Sequence, residues 1–255
     1  MSHSSPSASE RPAVLVIAAT DSSGGAGLTR DVRVLAELAT DALCATTAVT
    51  AQSDARVSAV HLIPPAIVRA QIAAAFATRP LGAIKIGMLG SAAIVAAVAA
   101  ELGARERLPP LVLDPVLVST SGAVLLDAEG RQALLELLLP RTTVITPNVP
   151  ELAALQGECL AQAEGGLVAQ GRALLQRGCA AVLVKGGHRA GPEAVDLLIQ
   201  GGQGEIEKIM SKRLPGSSRG TGCALSSAIA SGLAHGRPLA MACRDAKTYV
   251  LGMLS

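Results

Sequence analysis

The stretch from Ala13 to Leu38, A-V-L-V-I-A-A-T-D-S-S-G-G-A-G-L-T-R-D-V-R-V-L-A-E-L, contains the structural unit that the rest of the chain repeats. Its first part, as far as Ala19, is continuously apolar, which is typical of a strand buried on both faces. A Gly-rich turn follows at Gly24–Gly27, and apolar side chains then recur at helical spacing. The stretch therefore predicts a strand, a tight turn and a helix over residues 28–38.

The same unit recurs as far as about residue 190. Further strands are predicted at 43–51, 83–86, 111–113, 143–145 and 181–184, and further helices at 67–76, 94–102, 134–139 and 167–176. Such alternation predicts a mostly parallel sheet with helices on both faces. Residues 195–199 and 205–209, separated by Gly201-Gly202, instead predict an antiparallel pair. We expect a disordered polar tail over residues 1–12 and a single α/β domain over residues 13–255.

Composition excludes several classes of protein. Half of the 255 residues are hydrophobic but only 1% are aromatic, so the core must consist of Ala, Val, Leu and Ile. The net charge is only +2 and Lys and Arg form no block, which argues against a nucleic-acid or membrane-surface partner. The five cysteines are widely spaced without a C-x-x-C pair, and no leader or membrane-spanning apolar run is visible. We therefore expect a cytoplasmic protein.

Chemically informative residues follow several of the predicted strands. In open α/β sheets, ligands bind beyond the carboxyl ends of the strands. The residues at these ends are Asp21, Gln52, Met88, Asp114, Asn148 and Lys185. Their shared position predicts a binding site along this edge of the sheet.

A second Gly-rich turn lies at Ser217–Ser227, S-S-R-G-T-G-C-A-L-S-S, and leads into a predicted helix. Unpaired N–H groups at a helix N-terminus are suited to binding a phosphate. The helix dipole would also favour the thiolate form of Cys223. The local sequence leaves two interpretations open: an anion hole with a reactive thiol, or a Gly-rich loop with a core cysteine.

The spacing of Asn148 and Glu151 also has two interpretations. The pair could hold Mg²⁺ through water beside a phosphate, or it could form a capping box, which the spacing alone favours. Asp114 and Lys185 could supply an acid and a cation near a phosphate, or be a turn residue and a solvent-exposed lysine. Together these groups match the needs of phosphoryl transfer. Because no P-loop is present, the enzyme would be a non-Walker kinase.

Seven collinear motifs extend this interpretation over about residues 13–250. They are T-D-S-S-G-G-A-G-L-T-R-D, A-V-T-A-Q, A-I-K-I-G-M-L, L-D-P-V, T-P-N-V-P-E, V-L-V-K-G-G-H and R-G-T-G-C-A-L-S-S-A-I-A-S-G-L-A. In this order the chain resembles the hydroxymethylpyrimidine/phosphomethylpyrimidine kinases of thiamine biosynthesis, a branch of the ribokinase-like superfamily. The resemblance implies a three-layer α/β/α sandwich with a central, mostly parallel sheet, and a homodimer. It also implies two ATP- and Mg²⁺-dependent steps, which convert 4-amino-5-hydroxymethyl-2-methylpyrimidine to its monophosphate and then to its diphosphate.

The same resemblance divides the site into two ends. At the acceptor end, Gln52 would hydrogen-bond the pyrimidine ring. The residues that would support Gln52 or pack against the ring are Asp31, Gly25 and Ala26 of the first Gly-rich turn, Met88 and Val116. At the phosphoryl end, Cys223 would occupy the place of the superfamily's catalytic Asp and accept the proton of the hydroxyl. The residues that would surround the phosphates are Gly220, Thr221 and Gly222 as an anion hole, Asp114 and Lys185 along the nucleotide, and Asn148 and Glu151 for Mg²⁺.

Several positions depart from the family pattern. Ser22 replaces a proline, Ser53 an asparagine, Thr120 a lysine and Arg219 a histidine, and the chain stops short of the usual Gly-rich C-terminal end. These departures motivate one alternative, a catalytically weak pyrimidine-binding or regulatory protein on the same fold. A second alternative is a pyridoxal or pyridoxine kinase, because both substrates are aromatic rings that carry a hydroxymethyl group.

Overall fold

The computed structural model describes residues 11–53, 55–119, 121–161, 163–186, 193–201, 206–213 and 219–254. Within these ranges, nine strands form one sheet in the order β3-β2-β1-β4-β5-β6-β7-β8-β9. The strands are β1 (Ala13–Asp21), β2 (Asp41–Gln52), β3 (Val57–Leu62), β4 (Ala83–Ile86), β5 (Leu111–Leu113), β6 (Val144–Ile145), β7 (Ala181–Val184), β8 (Glu193–Gln200) and β9 (Glu207–Lys212). The six strands from β2 to β7 in this order are parallel, and β3, β8 and β9 are antiparallel to their neighbours.

This sheet confirms the predicted parallel centre and the antiparallel β8–β9 pair. The second strand of that pair ends at Lys212, three residues later than expected, and residues 202–205, where we expected it to begin, lie outside the described residues. β3 was not predicted. Its side chains after Val57 are all exposed, so its sequence carries no signal of burial. Hydrogen bonding to β2 makes it a strand.

Eight α-helices complete the described part of the fold. They are α1 (Gly27–Glu37), α2 (Pro65–Thr78), α3 (Ala92–Gly103), α4 (Ala128–Ala133), α5 (Val149–Gln156), α6 (Glu164–Gln176), α7 (Thr221–Ala234) and α8 (Leu239–Leu254). The helix predicted at 134–139 is instead a π-helical turn at Leu134–Leu138 that runs into a 3₁₀ turn, and α8 was not predicted. None of the helices in the described ranges has both the length and the apolar character needed to cross a membrane.

Two apolar cores lie on opposite faces of the sheet. Along β1, Val14 and Val16 point to the core that includes α1, α7 and α8, while Leu15 and Ile17 point to the core that includes α2, α3, α5 and α6. Both cores consist chiefly of Ala, Val, Leu and Ile, as the composition predicts. This arrangement confirms the three-layer α/β/α sandwich. It also explains the continuous apolar run of β1, because both faces of that strand are buried.

Candidate active site

Two Gly-rich turns meet at the carboxyl end of the sheet, one before α1 and the other before α7. Gly220 has φ of +75°, and a Cβ there would lie 2.2 Å from the carbonyl oxygen of Gly25. Gly27 has φ of +58°, and its Cβ would lie 2.3 Å from the carbonyl oxygen of Ala19. Only glycine permits both the conformation and the close approach. The first N–H groups of α1 and α7 therefore lie near one another, as an anion hole requires.

An ion pair joins the same two turns. Arg219 Nη2 lies 2.9 Å from Asp21 Oδ2, and Arg219 Nη1 donates to Ser23 Oγ at 3.1 Å. Asp21 Oδ1 in turn accepts bonds from the backbone N–H and the hydroxyl of Ser23. No local pattern in the sequence predicts this contact, because its members are 198 residues apart.

Lys185 is the centre of a group that we call the cleft cluster: Lys185, Asp114, Glu151 and Ser226. Lys185 Nζ lies 2.9 Å from Asp114 Oδ1 and 3.6 Å from Glu151 Oε2, and Ser226 Oγ lies 3.4 Å from Asp114 Oδ2. Burial disfavours the charge on Lys185, but the two carboxylates outweigh it and raise the pKa of Lys185 above its usual range. Lys185 is therefore a cation held by carboxylates, with 13% of its side chain exposed, and not a solvent-exposed lysine.

The capping interpretation of Asn148 and Glu151 is confirmed. Asn148 Oδ1 accepts from the Glu151 N–H at 2.8 Å, and Glu151 Oε2 accepts from the Asn148 N–H at 2.8 Å. The cap does not exclude a magnesium role, because Mg²⁺ uses one or two carboxylates together with water and substrate phosphates. Among the described residues no three His, Cys, Asp or Glu side chains are grouped to hold a metal. Asp114 and Glu151 nevertheless supply carboxylate oxygens, which are suitable ligands for a hard cation such as Mg²⁺.

A second lysine forms the buried cluster: Lys85, Asp31 and Ser227. Lys85 Nζ lies 2.7 Å from Asp31 Oδ2, Ser227 Oγ donates to Asp31 Oδ1 at 2.8 Å, and both charged side chains are fully buried. Burial disfavours the charge on Lys85, but the acidic groups around it, Asp31 foremost, together outweigh burial and raise the pKa of Lys85 above its usual range. Asp31, expected to support the substrate, therefore lies beneath the surface of the site. The role of Lys85 was not predicted.

Cys223 lies in the first turn of α7, where its side chain is half-buried. The charge of Lys85 and, to a lesser degree, the backbone N–H of Gly27 favour its thiolate. Burial nevertheless dominates and raises the pKa of Cys223 to about 11. This effect of burial opposes the bias toward the thiolate that we expected from the helix dipole.

The acceptor end is assembled around Gln52, at the end of β2. The Gln52 backbone N–H donates to Ser22 Oγ at 2.9 Å, and Ser22 Oγ donates to the Gln52 carbonyl at 2.9 Å. Ser22 thus ties Gln52 to the first Gly-rich turn. Met88 and Val116 belong to one small apolar cluster, so the structure brings together the two side chains expected to pack against the ring.

Some residues singled out in the sequence lie outside the described residues. They are Thr120, Gly187, His188, Ser217 and Ser218, together with positions 1–10 of the predicted tail.

Comparisons with known proteins identify the family of this chain. The family profile described as phosphomethylpyrimidine kinase matches residues 21–255. The chain belongs to the phosphomethylpyrimidine kinase family. A hydroxymethylpyrimidine/phosphomethylpyrimidine kinase from Rhizobium meliloti (strain 1021) is 40% identical over 242 residues, which cover 94% of this chain and 90% of the relative. The predicted resemblance and the predicted class of enzyme, a kinase, are both confirmed.

Solved structures of the phosphomethylpyrimidine kinase family and of pyridoxal kinases share the fold. Phosphomethylpyrimidine kinase from Clostridium difficile 630 superposes with a TM-score of 0.84 at 35% identity, covering 96% of this chain and 100% of that one. Pyridoxal kinase from Staphylococcus aureus, solved in complex with ADP, has a TM-score of 0.87 at 29% identity, covering 96% and 88% respectively. The predicted ribokinase-like fold is thereby confirmed.

Proposed function

We propose that this kinase uses ATP to phosphorylate 4-amino-5-hydroxymethyl-2-methylpyrimidine on its hydroxymethyl group and then converts the monophosphate to the diphosphate. The observation that carries the proposal is the meeting of two Gly-rich turns, Cys223 and the cleft cluster at one edge of the sheet. Family membership supports the choice of a pyrimidine as acceptor.

The acceptor end binds and orients the pyrimidine. Gln52 hydrogen-bonds the ring, and Met88 and Val116 pack against it. The first Gly-rich turn, with Gly25 and Ala26, provides backbone close to the hydroxymethyl group. This arrangement would hold the hydroxyl oxygen in line with the phosphoryl group, which converts a bimolecular reaction into an effectively unimolecular one.

The phosphoryl end stabilises the charge that is transferred. The backbone N–H groups of Gly220, Thr221 and Gly222 face the developing negative charge. Cys223 accepts the hydroxyl proton as the oxygen attacks phosphorus and the bond to the ADP oxygen breaks. Only the thiolate can accept that proton. The Gly27 N–H and the charge of Lys85 favour this form against the effect of burial.

The cleft cluster handles the nucleotide phosphates. Lys185 places a positive charge beside them, and Asp114 and Glu151 hold Lys185 in position. Asn148 and Glu151 would hold Mg²⁺ through water. When bound, the metal would neutralise charge on the phosphate oxygens.

We further propose that the protein acts in the cytoplasm and forms a homodimer. The cytoplasmic assignment rests on all five cysteines, each of which is a free thiol. The homodimer rests on the family resemblance alone, and size-exclusion chromatography with light scattering tests it directly.

A product analysis tests the proposed reaction. Purified protein is incubated with ATP, Mg²⁺ and the hydroxymethylpyrimidine, and anion-exchange chromatography separates the monophosphate from the diphosphate. We expect the monophosphate first and the diphosphate later. ADP formation at the background rate would refute the kinase assignment, and a monophosphate that never converts would refute the second step.

Substitution of Cys223 tests its role. We expect Cys223→Ala to abolish turnover and to leave pyrimidine binding, measured by calorimetry, largely intact. Cys159→Ala is the matched control, because Cys159 is exposed and outside the site. Wild-type turnover in Cys223→Ala would remove the proposed proton transfer to the thiol.

Pyridoxal is the second candidate acceptor. The observation that supports pyridoxal is the structural similarity to Staphylococcus aureus pyridoxal kinase. Parallel assays with both acceptors decide between them, and we expect a higher kcat/KM for the pyrimidine. The third possibility, a weak binding protein, would show thermal stabilisation by the pyrimidine without turnover.

A further inference from the structure

The contact between Asp21, Ser23 and Arg219, which we call the latch, connects the two ends of the site. Asp21 is the last residue of β1 and leads into the first Gly-rich turn. Arg219 immediately precedes Gly220, which begins the second turn. One guanidinium therefore spans from the acceptor end to the phosphoryl end.

The latch is closely packed as well as charged. The guanidinium lies over Gly25: a Cβ at that position would be 3.5 Å from Arg219 Nη1. The carbonyl group of the same Gly25 lies against Gly220. The side chains of Asp21 and Arg219 are only 3% and 14% exposed. A pair with so little access to water is screened weakly and holds a defined geometry.

We propose that Arg219 is a positioning residue that sets the distance between the acceptor and the anion hole. Phosphoryl transfer needs reacting atoms within about 3–3.5 Å and in line, and a misplacement of about 1 Å can reduce the rate about 100-fold. The latch fixes the two turns that carry these atoms. Arg219 acts through the turns and does not need to touch the substrate. The inference rests on the proposed function for its kinetic test, but not for its structural test.

The kinetic test compares Arg219→Met, Arg219→Lys, Asp21→Asn and the double variant Asp21→Asn/Arg219→Met. Met removes the charge and the donors at similar length, whereas Lys keeps the charge but loses the planar fork. For Arg219→Met we expect kcat to fall about 100-fold while KM for the pyrimidine and for ATP changes less than about threefold. We also expect more ADP than phosphorylated pyrimidine, because a misplaced acceptor leaves the phosphoryl group open to water. The variant Arg219→Lys should retain part of the kcat that Arg219→Met loses.

The double variant tests whether the two residues act through one contact. We expect Asp21→Asn to match Arg219→Met, and the double variant to lose no more than either single variant. Additive losses would overturn the latch, as would a kcat within about twofold of wild type in folded Arg219→Met. The matched control is Arg79→Met, which removes another Arg–Asp pair, with Asp41 at 2.6 Å, from the opposite end of the sheet. Its kcat should remain at the wild-type value.

Hydrogen exchange tests the latch without any substrate. In Arg219→Met we expect faster exchange of the backbone amides in both turns, Gly24–Gly27 and Gly220–Gly222, and unchanged exchange in β5 and β7. Unchanged exchange in either turn would overturn the proposal even if the protein phosphorylates neither acceptor. Conversely, faster exchange in both turns of Arg219→Met, combined with a wild-type protein that phosphorylates neither acceptor, would refute the proposed function and retain the latch.

Discussion

The buried cluster and the cleft cluster contain the same three residue types in different surroundings. Each has a lysine, an aspartate and a serine of α7, and the serines, Ser226 and Ser227, are consecutive. The lysine–aspartate distances are 2.7 Å and 2.9 Å. In the buried cluster neither charged side chain is exposed, whereas Lys185 in the cleft cluster reaches water.

The difference follows from where each lysine lies relative to its strand. Lys85 lies within β4, one residue before its end, so its side chain enters the layer between the sheet and α1 and α7. Lys185 follows the last residue of β7 and lies at the carboxyl edge. The cleft cluster also has a second carboxylate, Glu151. The same ion pair is therefore structural inside a strand and available to a ligand just beyond it.

Removal of the buried lysine should have the largest effect. Lys85→Met leaves the carboxylate of Asp31 buried without its cation, which typically costs about 3–5 kcal/mol of the free energy of unfolding. Urea denaturation measures this loss. The double variant Lys85→Met/Asp31→Asn removes both charges and should recover most of the stability. An unchanged midpoint for Lys85→Met would contradict a structural role.

Removal of the cleft lysine should affect catalysis more than folding. We expect Lys185→Met to lower kcat by about 100- to 1,000-fold, the usual cost of a lost charge-stabilising group. Its loss of stability should be smaller than that of Lys85→Met. Lys185 and Glu151 are 13% and 12% exposed, whereas both charged side chains of the buried cluster are fully buried. Steady-state kinetics and urea denaturation of both variants measure the contrast. Equal destabilisation with unchanged kcat would mean that the two clusters have the same role.

Cys223 reports on the electrostatics of both clusters, because Lys85 favours its thiolate while Asp31 and Asp114 oppose it. Since burial raises its pKa to about 11, alkylation by iodoacetamide should be slow at neutral pH. The rate should then rise about tenfold per pH unit until the pH approaches that value. Site-resolved mass spectrometry measures the alkylation rate of Cys223, and the exposed Cys159 serves as the internal control for the activity of the reagent.

The same raised pKa has a consequence for stability. The folded state keeps the Cys223 proton where the unfolded state would release it, so this contribution is complete below about pH 9 and is lost as the pH rises to about 11. Urea midpoints of wild type should therefore fall more steeply over that range than those of Cys223→Ala. Urea midpoints that fall in parallel for the two proteins, or rapid alkylation of Cys223 at pH 7, would contradict a pKa raised by burial.

The two serines provide the smallest and most closely matched contrast. Ser227 donates to the buried Asp31 at 2.8 Å, and its loss should cost about 1–3 kcal/mol because a buried charge loses a donor. Ser226 lies 3.4 Å from Asp114 and also donates to the Gly222 carbonyl, so Ser226→Ala should cost less. Thermal denaturation of the two alanine variants compares them. A larger loss for Ser226→Ala would reverse the assignment of the clusters.

Much of the fold could be predicted because a strand that is buried on both faces has a continuously apolar sequence. β1, β4, β5 and β7 are short runs of mostly apolar residues bounded by polar or Gly-rich tips, as two-sided cores require. β3 has no such apolar run, because hydrogen bonds to β2 rather than burial hold it in place. The π-helical turn at Leu134–Leu138 was missed because its apolar residues also fit an ordinary helix.

Some features of the candidate site could also be predicted from the sequence, and others could not. Gln52, Asp114, Asn148 and Lys185 were predicted from position alone, because the carboxyl ends of parallel strands meet at one edge. The protonation of Cys223 could not be predicted, since it depends on how deeply α7 is packed. The spacing of Asn148 and Glu151 favoured a cap, and the cap is present, but spacing could not place Lys185 beside it.

Most strands and helices, the apolar cores and the row of polar groups at the strand ends could be predicted from the amino-acid sequence alone, because these features depend on neighbours close in the chain. The folded chain was needed to see that Lys85 is buried on Asp31 while Lys185 lies partly exposed beyond β7. It was also needed to see that Arg219 joins the two Gly-rich turns. Such contacts form between residues far apart in sequence. Their strength depends on distance and on exclusion of water, which only packing establishes.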